Sequence, residues 1–365
     1  MMFWAAVIAV AVSFAISAMA TSLSRRVAVR LGMLDMPQRH KAHARPVPLL
    51  GGCAIFAAIL GPSLLALALA RIWAAGEVPS VLAWLPASVA IHIPGVASKT
   101  PMALGILAGA LVLHVIGLID DRRNLGAWLK LALEIAVAAA VVIFLKVRVL
   151  TLAGPAISII VTILWIVAIT NAFNFLDNMD GLSAGVAAIC CAALLGASAG
   201  IGQIFVSAWL CLMLGALLGF LPYNFPPAST FMGDAGSLVI GYLLAVVSCL
   251  TTYVRPGEHV LYGVFVPLVL MAVPLYDMVG VIALRIRQRS NPMVGDRRHF
   301  SHRLLRRGMN TRAAVLTIYL CTGGTAIAAT LLPHVKDAVG TFLVLGQTAA
   351  ILLIIALLES SDAKT

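Results

Sequence analysis

Residues 157–185 read ISIIVTILWIVAITNAFNFLDNMDGLSAG. The first part, 157–173, is an apolar run long enough to cross a bilayer, which takes roughly 17–25 residues of helix. It ends on Asn174, Asp177 and Asp180, one polar group every third residue, before another apolar run opens at 181. A span that ends this way belongs to a membrane protein that keeps polar chemistry at one end of its helices.

Working outward, the same length criterion finds ten further runs, at about 2–20, 49–70, 101–119, 125–145, 181–199, 203–221, 236–254, 260–284, 313–332 and 338–358. With 62% apolar and 11% charged residues, the 365-residue chain falls outside the range of soluble globular domains. The expected fold is an all-α polytopic membrane protein of about 11 transmembrane helices, forming one integral membrane domain over residues 1–365. Residues 71–100, broken by Pro79, Pro86 and Pro94, read as an external loop with interfacial pieces, and 146–158 as a small external hairpin. The six cysteines all fall in apolar runs without metal-ligand spacing, as small buried hydrophobes do. Ala18-Met19-Ala20 resembles a signal-peptidase site. The absence of a basic segment before it, and Arg25, Arg26 and Arg30 after it, favour a retained anchor.

A net charge of +11 is compatible with nucleic acid, but its distribution argues against that partner. With eleven spans and the Arg25–Arg45 loop inside, 19 of the 25 Lys and Arg fall on the cytoplasmic side. This is the bias that sets membrane orientation, and it puts the N-terminus outside and the C-terminus in the cytoplasm. The same assignment gathers DDRRN (120–124), DNMDG (177–181), FMGDAGS (231–237) and GDRRHFSHRLLRRG (295–308) on one face.

Those segments carry the candidate site. Asp120 and Asp121 are adjacent carboxylates that need a cation nearby, and Lys130 on the next helix is placed to point back at them. Asn174, Asp177 and Asp180 are expected as one stripe along a helix, followed by Gly181. Asp234 lies between Gly233 and Gly236 at a helix start, where a plain N-cap is the competing reading. An all-oxygen donor set suits a hard divalent ion, Mg²⁺ with Mn²⁺ as a substitute. Arg297, Arg298, His299, His302 and Arg303 form a basic segment fit for a diphosphate. The residue types favour transfer of a phosphoryl-linked group onto a lipid.

In order along the chain, LDMPQRHKAHARPVPLLGG, DDRRN, NAFNFLDNMDGLSAG, FMGDAGSL and DRRHFSHRLLRRG resemble the polyprenyl-phosphate N-acetylhexosamine-1-phosphate transferases, from about Leu34 to Gly308. The resemblance implies that undecaprenyl phosphate attacks the β-phosphorus of a UDP-sugar, giving undecaprenyl-diphospho-sugar and UMP with Mg²⁺. That would be the first membrane step of a cell-envelope polysaccharide, on the cytoplasmic face of a bacterial inner membrane. It further implies that Asp120 and Asp121 act near the lipid phosphate and that Asp180 and Asp234 hold the metal. Lys41, Lys130, Asn174, Asp177, Arg297, His299 and His302 would bind substrate; a homodimer is compatible. The His…His-Arg-Leu-Leu form of 299–305 is similar to the N-acetylglucosamine-1-phosphate branch, except that Ser301 stands where that branch commonly has His.

Three other readings carry less of the sequence. A phospho-MurNAc-pentapeptide translocase has a tighter His run followed by Phe-Glu. A CDP-alcohol phosphatidyltransferase needs Arg where Gly185 stands. A transporter would hold its polar groups near the bilayer midplane rather than at one face.

Overall fold

The computed structural model describes residues 2–36, 46–80, 85, 87–253, 261–289, 298–335 and 337–360. In chain order the helices are α1 (Met2–Leu31), α2 (Gly51–Ala74), α3 (Ala87–Ala90), α4 (Ile93–Ser98), α5 (Thr100–Arg123), α6 (Ala127–Phe144), α7 (Pro155–Leu176), α8 (Leu182–Gly200) and α9 (Ile204–Asn224). They continue with α10 (Asp234–Leu250), α11 (Val266–Leu270), α12 (Ala272–Arg287), α13 (Phe300–Arg306), α14 (Thr311–Leu331) and α15 (Ala338–Ser360). Between α1 and α2, strands β1 (Leu34–Asp35) and β2 (Val47–Pro48) make a two-residue antiparallel pair. The chain is thus an all-α polytopic membrane protein.

Each of the eleven apolar runs is helical, but they are not alike. Among the described residues nine helices are long and apolar enough to span a bilayer. A tenth run is a pair, Tyr262–Leu270 and Ala272–Arg287, bent by 65°. Pro274 explains the break: it has no N–H for the carbonyl of Leu270, where α11 stops. The eleventh, α10, has only 17 residues, about 26 Å of helix at 1.5 Å per residue.

α10 is short because it sits at the centre. Every residue from Ala235 to Ser248 is buried, so its apolar character runs round its circumference rather than along one stripe. It packs against α5, α7 and α2. Small residues let these backbones close in. A Cβ on Gly52 would lie 2.4 Å from the Gly236 nitrogen, and one on Gly117 2.4 Å from the Ala235 nitrogen. The first turn of α10 is therefore clasped by α2 and α5.

One local expectation is corrected. Residues 146–158 form no hairpin: Thr151–Ala153 is a single 3₁₀ turn. Val149 and Ser158 instead tie the loop to α7, through Val149 N to Thr162 Oγ1 (3.0 Å) and Ser158 Oγ to the Val149 carbonyl (2.6 Å). In the 71–100 connection, α2 extends to Ala74, and α3 and α4 are short helices before α5.

Candidate active site

Four helix ends meet at Lys130. It lies in the first turn of α6, and its Nζ is 3.1 Å from Asp120 Oδ2 on α5 and 2.5 Å from Asp234 Oδ2 on α10. It also reaches Asn174 Oδ1 on α7 at 3.5 Å. Asn174 donates to Asp234 Oδ1 (3.0 Å) and to Ser237 Oγ (2.9 Å), closing the ring. One ammonium between two carboxylates offsets part of their repulsion.

The adjacent pair Asp120 and Asp121 is split between two supports. Asp120 Oδ1 accepts from the Leu125 nitrogen at 2.6 Å, leaving Oδ2 for Lys130. Asp121 accepts from the nitrogens of Asp234 (2.8 Å) and Ala235 (3.2 Å). It thus caps the N-terminus of α10 from another helix, where a negative charge meets the positive end of the dipole. Gly233 makes room for this at φ +68, since a Cβ there would stand 2.5 Å from Asp121 Oδ2. Asp234 is the first residue of α10, and the cap comes from Asp121 rather than from Asp234 itself.

The expected stripe of Asn174, Asp177 and Asp180 is broken. α7 ends at Leu176, Asp177 is its C-cap with ψ 42, and Asp180 lies in the turn before α8. Gly181, at φ +73, supplies the left-handed residue that starts α8. This turn is held on several sides. Asp180 Oδ2 accepts from the Ala228 nitrogen (2.8 Å), and Asn224 Oδ1 from the Gly181 nitrogen (3.0 Å). Asn224 Nδ2 donates to the Thr230 carbonyl at 2.9 Å, and Tyr319 donates to the Gly181 carbonyl. Gly185 gives the Tyr319 ring its place, since a Cβ there would overlap it.

Burial pushes the Asp177 carboxyl well above the usual carboxylate range, and Asp234, Asp121 and Asp180 push it further. Asp121, Asp177, Asp180 and Asp234 are mutually repelling carboxyl groups whose oxygens are donors of the kind a hard divalent cation takes. Among the described residues no three His, Cys, Asp or Glu side chains are gathered closely enough to hold an ion alone. Mg²⁺ takes one or two carboxylates and completes its shell with water and phosphate oxygens.

The basic side is built on α13. His299 is buried, with its Nδ1 2.7 Å from Asp277 Oδ2 on α12. Asp277 Oδ1 accepts from the Phe300 nitrogen at 2.9 Å, so one carboxylate fixes both the imidazole and the helix start. The His302 ring centroid lies 6.4 Å from that of His299. Arg303 turns away from this pair to Glu359 on α15, at 2.7 Å. Ser301 is buried and donates to Asn178 Oδ1 at 2.6 Å, which ties α13 to the Asp177–Asp180 turn. Lys41 and Arg297 lie outside the described residues.

Sequence reasoning left out the partners. Asp277 is an acid inside the 260–284 apolar run, and its bond to His299 spans 22 positions. Glu134, buried in α6, takes a hydrogen bond from Asn171 and lies one turn from Lys130. Its signal was its place within a span, where carboxylates are rare.

The glycosyl transferase family 4 profile matches residues 103–252, which contain the Lys130 cluster. A probable undecaprenyl-phosphate N-acetylglucosaminyl 1-phosphate transferase of Bacillus subtilis is 32% identical over 327 residues, 86% of this chain and 81% of that protein. A decaprenyl-phosphate N-acetylglucosaminephosphotransferase of Mycobacterium tuberculosis is 33% identical over 374 residues, 94% of this chain and 87% of that protein. An undecaprenyl-phosphate alpha-N-acetylglucosaminyl 1-phosphate transferase of Escherichia coli is 28% identical over 311 residues, 81% of this chain and 76% of that protein.

Proposed function

The chain belongs to glycosyl transferase family 4, in its polyprenyl-phosphate N-acetylglucosamine-1-phosphate transferase branch, and from that premise we propose that it moves N-acetylglucosamine-1-phosphate from a UDP-sugar to undecaprenyl phosphate. A lipid phosphate oxygen forms a bond to the β-phosphorus. The bond from that phosphorus to the bridging oxygen breaks, and UMP leaves with that oxygen. The observation that carries this reading is the Lys130-centred ring of Asp120, Asn174 and Asp234 at four helix ends.

A phosphate monoester is already largely ionised near neutral pH, so the acceptor needs little help from a base. Asp120 and Asp121 then serve by position: Asp120 aims the Lys130 ammonium, and Asp121 fixes the α10 start that carries Asp234. Lys130 meets a phosphate oxygen, and His299 and His302 face the diphosphate or sugar. Asp180 and Asp234 would hold Mg²⁺, with Asp177 beside the nucleotide-sugar. When bound, the ion supplies charge neutralisation on the diphosphate. The site would face the cytoplasm from a bacterial inner membrane, at the first membrane step of a cell-envelope polysaccharide.

Purified chain is expected to release UMP from UDP-N-acetylglucosamine only when both undecaprenyl phosphate and Mg²⁺ are present. UMP formed equally well without the lipid would overturn the acceptor. Unchanged activity in a chelator would overturn the metal, and preference for another sugar in a UDP-sugar panel would overturn the donor.

A further inference from the structure

α1 has 30 residues, about 45 Å of helix, against a hydrocarbon thickness of about 30 Å. Its last turns therefore run beyond the apolar layer. There Ser22, Arg25, Arg26, Val29 and Arg30 fall at i, i+3, i+4, i+7 and i+8, on one helical face. With Pro48 of β2 they line a pocket of about 550 Å³ whose lining, among the described residues, contains three guanidinium groups and no carboxylate. None of the described transfer-site residues lines it.

The walls are set by other contacts. The Arg25 guanidinium lies over the Tyr223 ring, 5.8 Å from its centroid. The Pro48 carbonyl accepts from the Phe231 nitrogen (2.8 Å) and from Thr230 Oγ1 (3.0 Å), which fixes β2 to the chain leading into α10. Along the same helix, Met19 is exposed about one turn before Ser22, towards the bilayer, and Leu23 is exposed beside the pocket. A polar, cationic pocket thus continues into an apolar, lipid-facing strip.

We propose that this pocket binds the phosphate headgroup of an anionic membrane phospholipid, with the arginines on the phosphate and the acyl chains along Met19 and Leu23. An excess of positive charge needed only for orientation would require neither a lined pocket nor the apolar strip. Arginine suits the task because its planar donors pair with phosphate oxygens two at a time.

The test uses the full chain in neutral detergent, titrated with phosphatidylglycerol and read by native mass spectrometry as the fraction of protein carrying lipid. Each basic residue near a membrane surface contributes about a fivefold preference for anionic lipid. Replacing the two exposed arginines, Arg26→Gln with Arg30→Gln, should weaken retention about 25-fold, and phosphatidylcholine should be retained poorly by both forms. Arg122→Gln with Arg123→Gln removes equal charge from the end of α5 and should leave retention unchanged. If that control weakens binding equally, the effect is general surface charge and the pocket assignment fails. If inorganic phosphate competes as well as the lipid does, the lipid is the wrong source. Should the double variant lose its fold, Arg30→Gln alone should still weaken retention about fivefold.

Discussion

The start of α10 and the start of α13 both face the candidate site, but they are held in different ways. At α10, Asp234 is fixed by Lys130 and Asn174, by the Asp121 cap on its backbone, and by glycine contacts from α2 and α5. At α13, a seven-residue helix, His299 depends on one buried carboxylate, Asp277. The acidic carboxylate is held from several helices, whereas among the described residues the His299 ring has one hydrogen-bond partner, Asp277. A charge cluster meant to hold an ion must be rigid against its own repulsion. A cationic helix that meets a diphosphate is under no such load.

The contrast gives a ranked set of tests. Asp234→Asn removes a proposed metal ligand and the main partner of Lys130, and UMP release should fall roughly a thousandfold in kcat/KM. Lys130→Met leaves Asp120 and Asp234 facing each other without a cation. Activity should drop roughly a hundredfold, and Lys130→Arg should not restore it, because a planar fork cannot sit as a point charge between them. Asp277→Asn keeps the shape but weakens the hold on His299, with a loss of roughly 10- to 100-fold, as for other carboxylates that orient a histidine. If Asp277→Asn costs as much as Asp234→Asn, the two sides are equally critical and the contrast fails. Ser301→Ala removes one buried hydrogen bond, worth about 1 kcal/mol, and should lower the unfolding midpoint with only a few-fold change in rate. Ser301→His should be worse than alanine, because a ring has to enter a buried position at a cost of about 1–3 kcal/mol.

The helices were legible in the sequence because a span leaves an apolar run whatever it packs against. The motifs were legible too, since Asp120, Asp121, Lys130 and Asp234 are polar groups at the ends of such runs. The path of the chain between runs was not. Asn174, Asp177 and Asp180 have helical spacing, yet Gly181 needs a left-handed backbone, and the turn that provides it ends α7 at Leu176. Pairings across the fold were also hidden: Lys130 and Asp234 are 104 positions apart, and Ser301 and Asn178 are 123 apart. Ser301 shows this most plainly. The sequence marked it as a gap in a histidine motif, and the structure gives it a partner of its own.

The burial of α10 also separates the Lys130–Asp234 cluster from the bilayer. A helix that touches lipid must match the hydrocarbon thickness by tilting or bending, whereas one wrapped in protein has no such constraint. α1 and α15 present Phe3, Trp4, Phe342, Leu343 and Leu353 outward, as helices that meet lipid do. Reconstitution in bilayers of shorter or longer acyl chains should therefore shift the tilt of these outer helices far more than the Lys130–Asp234 contact, which spectroscopic distance labels would show. The position of the Lys130–Asp234 cluster is then set by the helices around α10 rather than by the membrane.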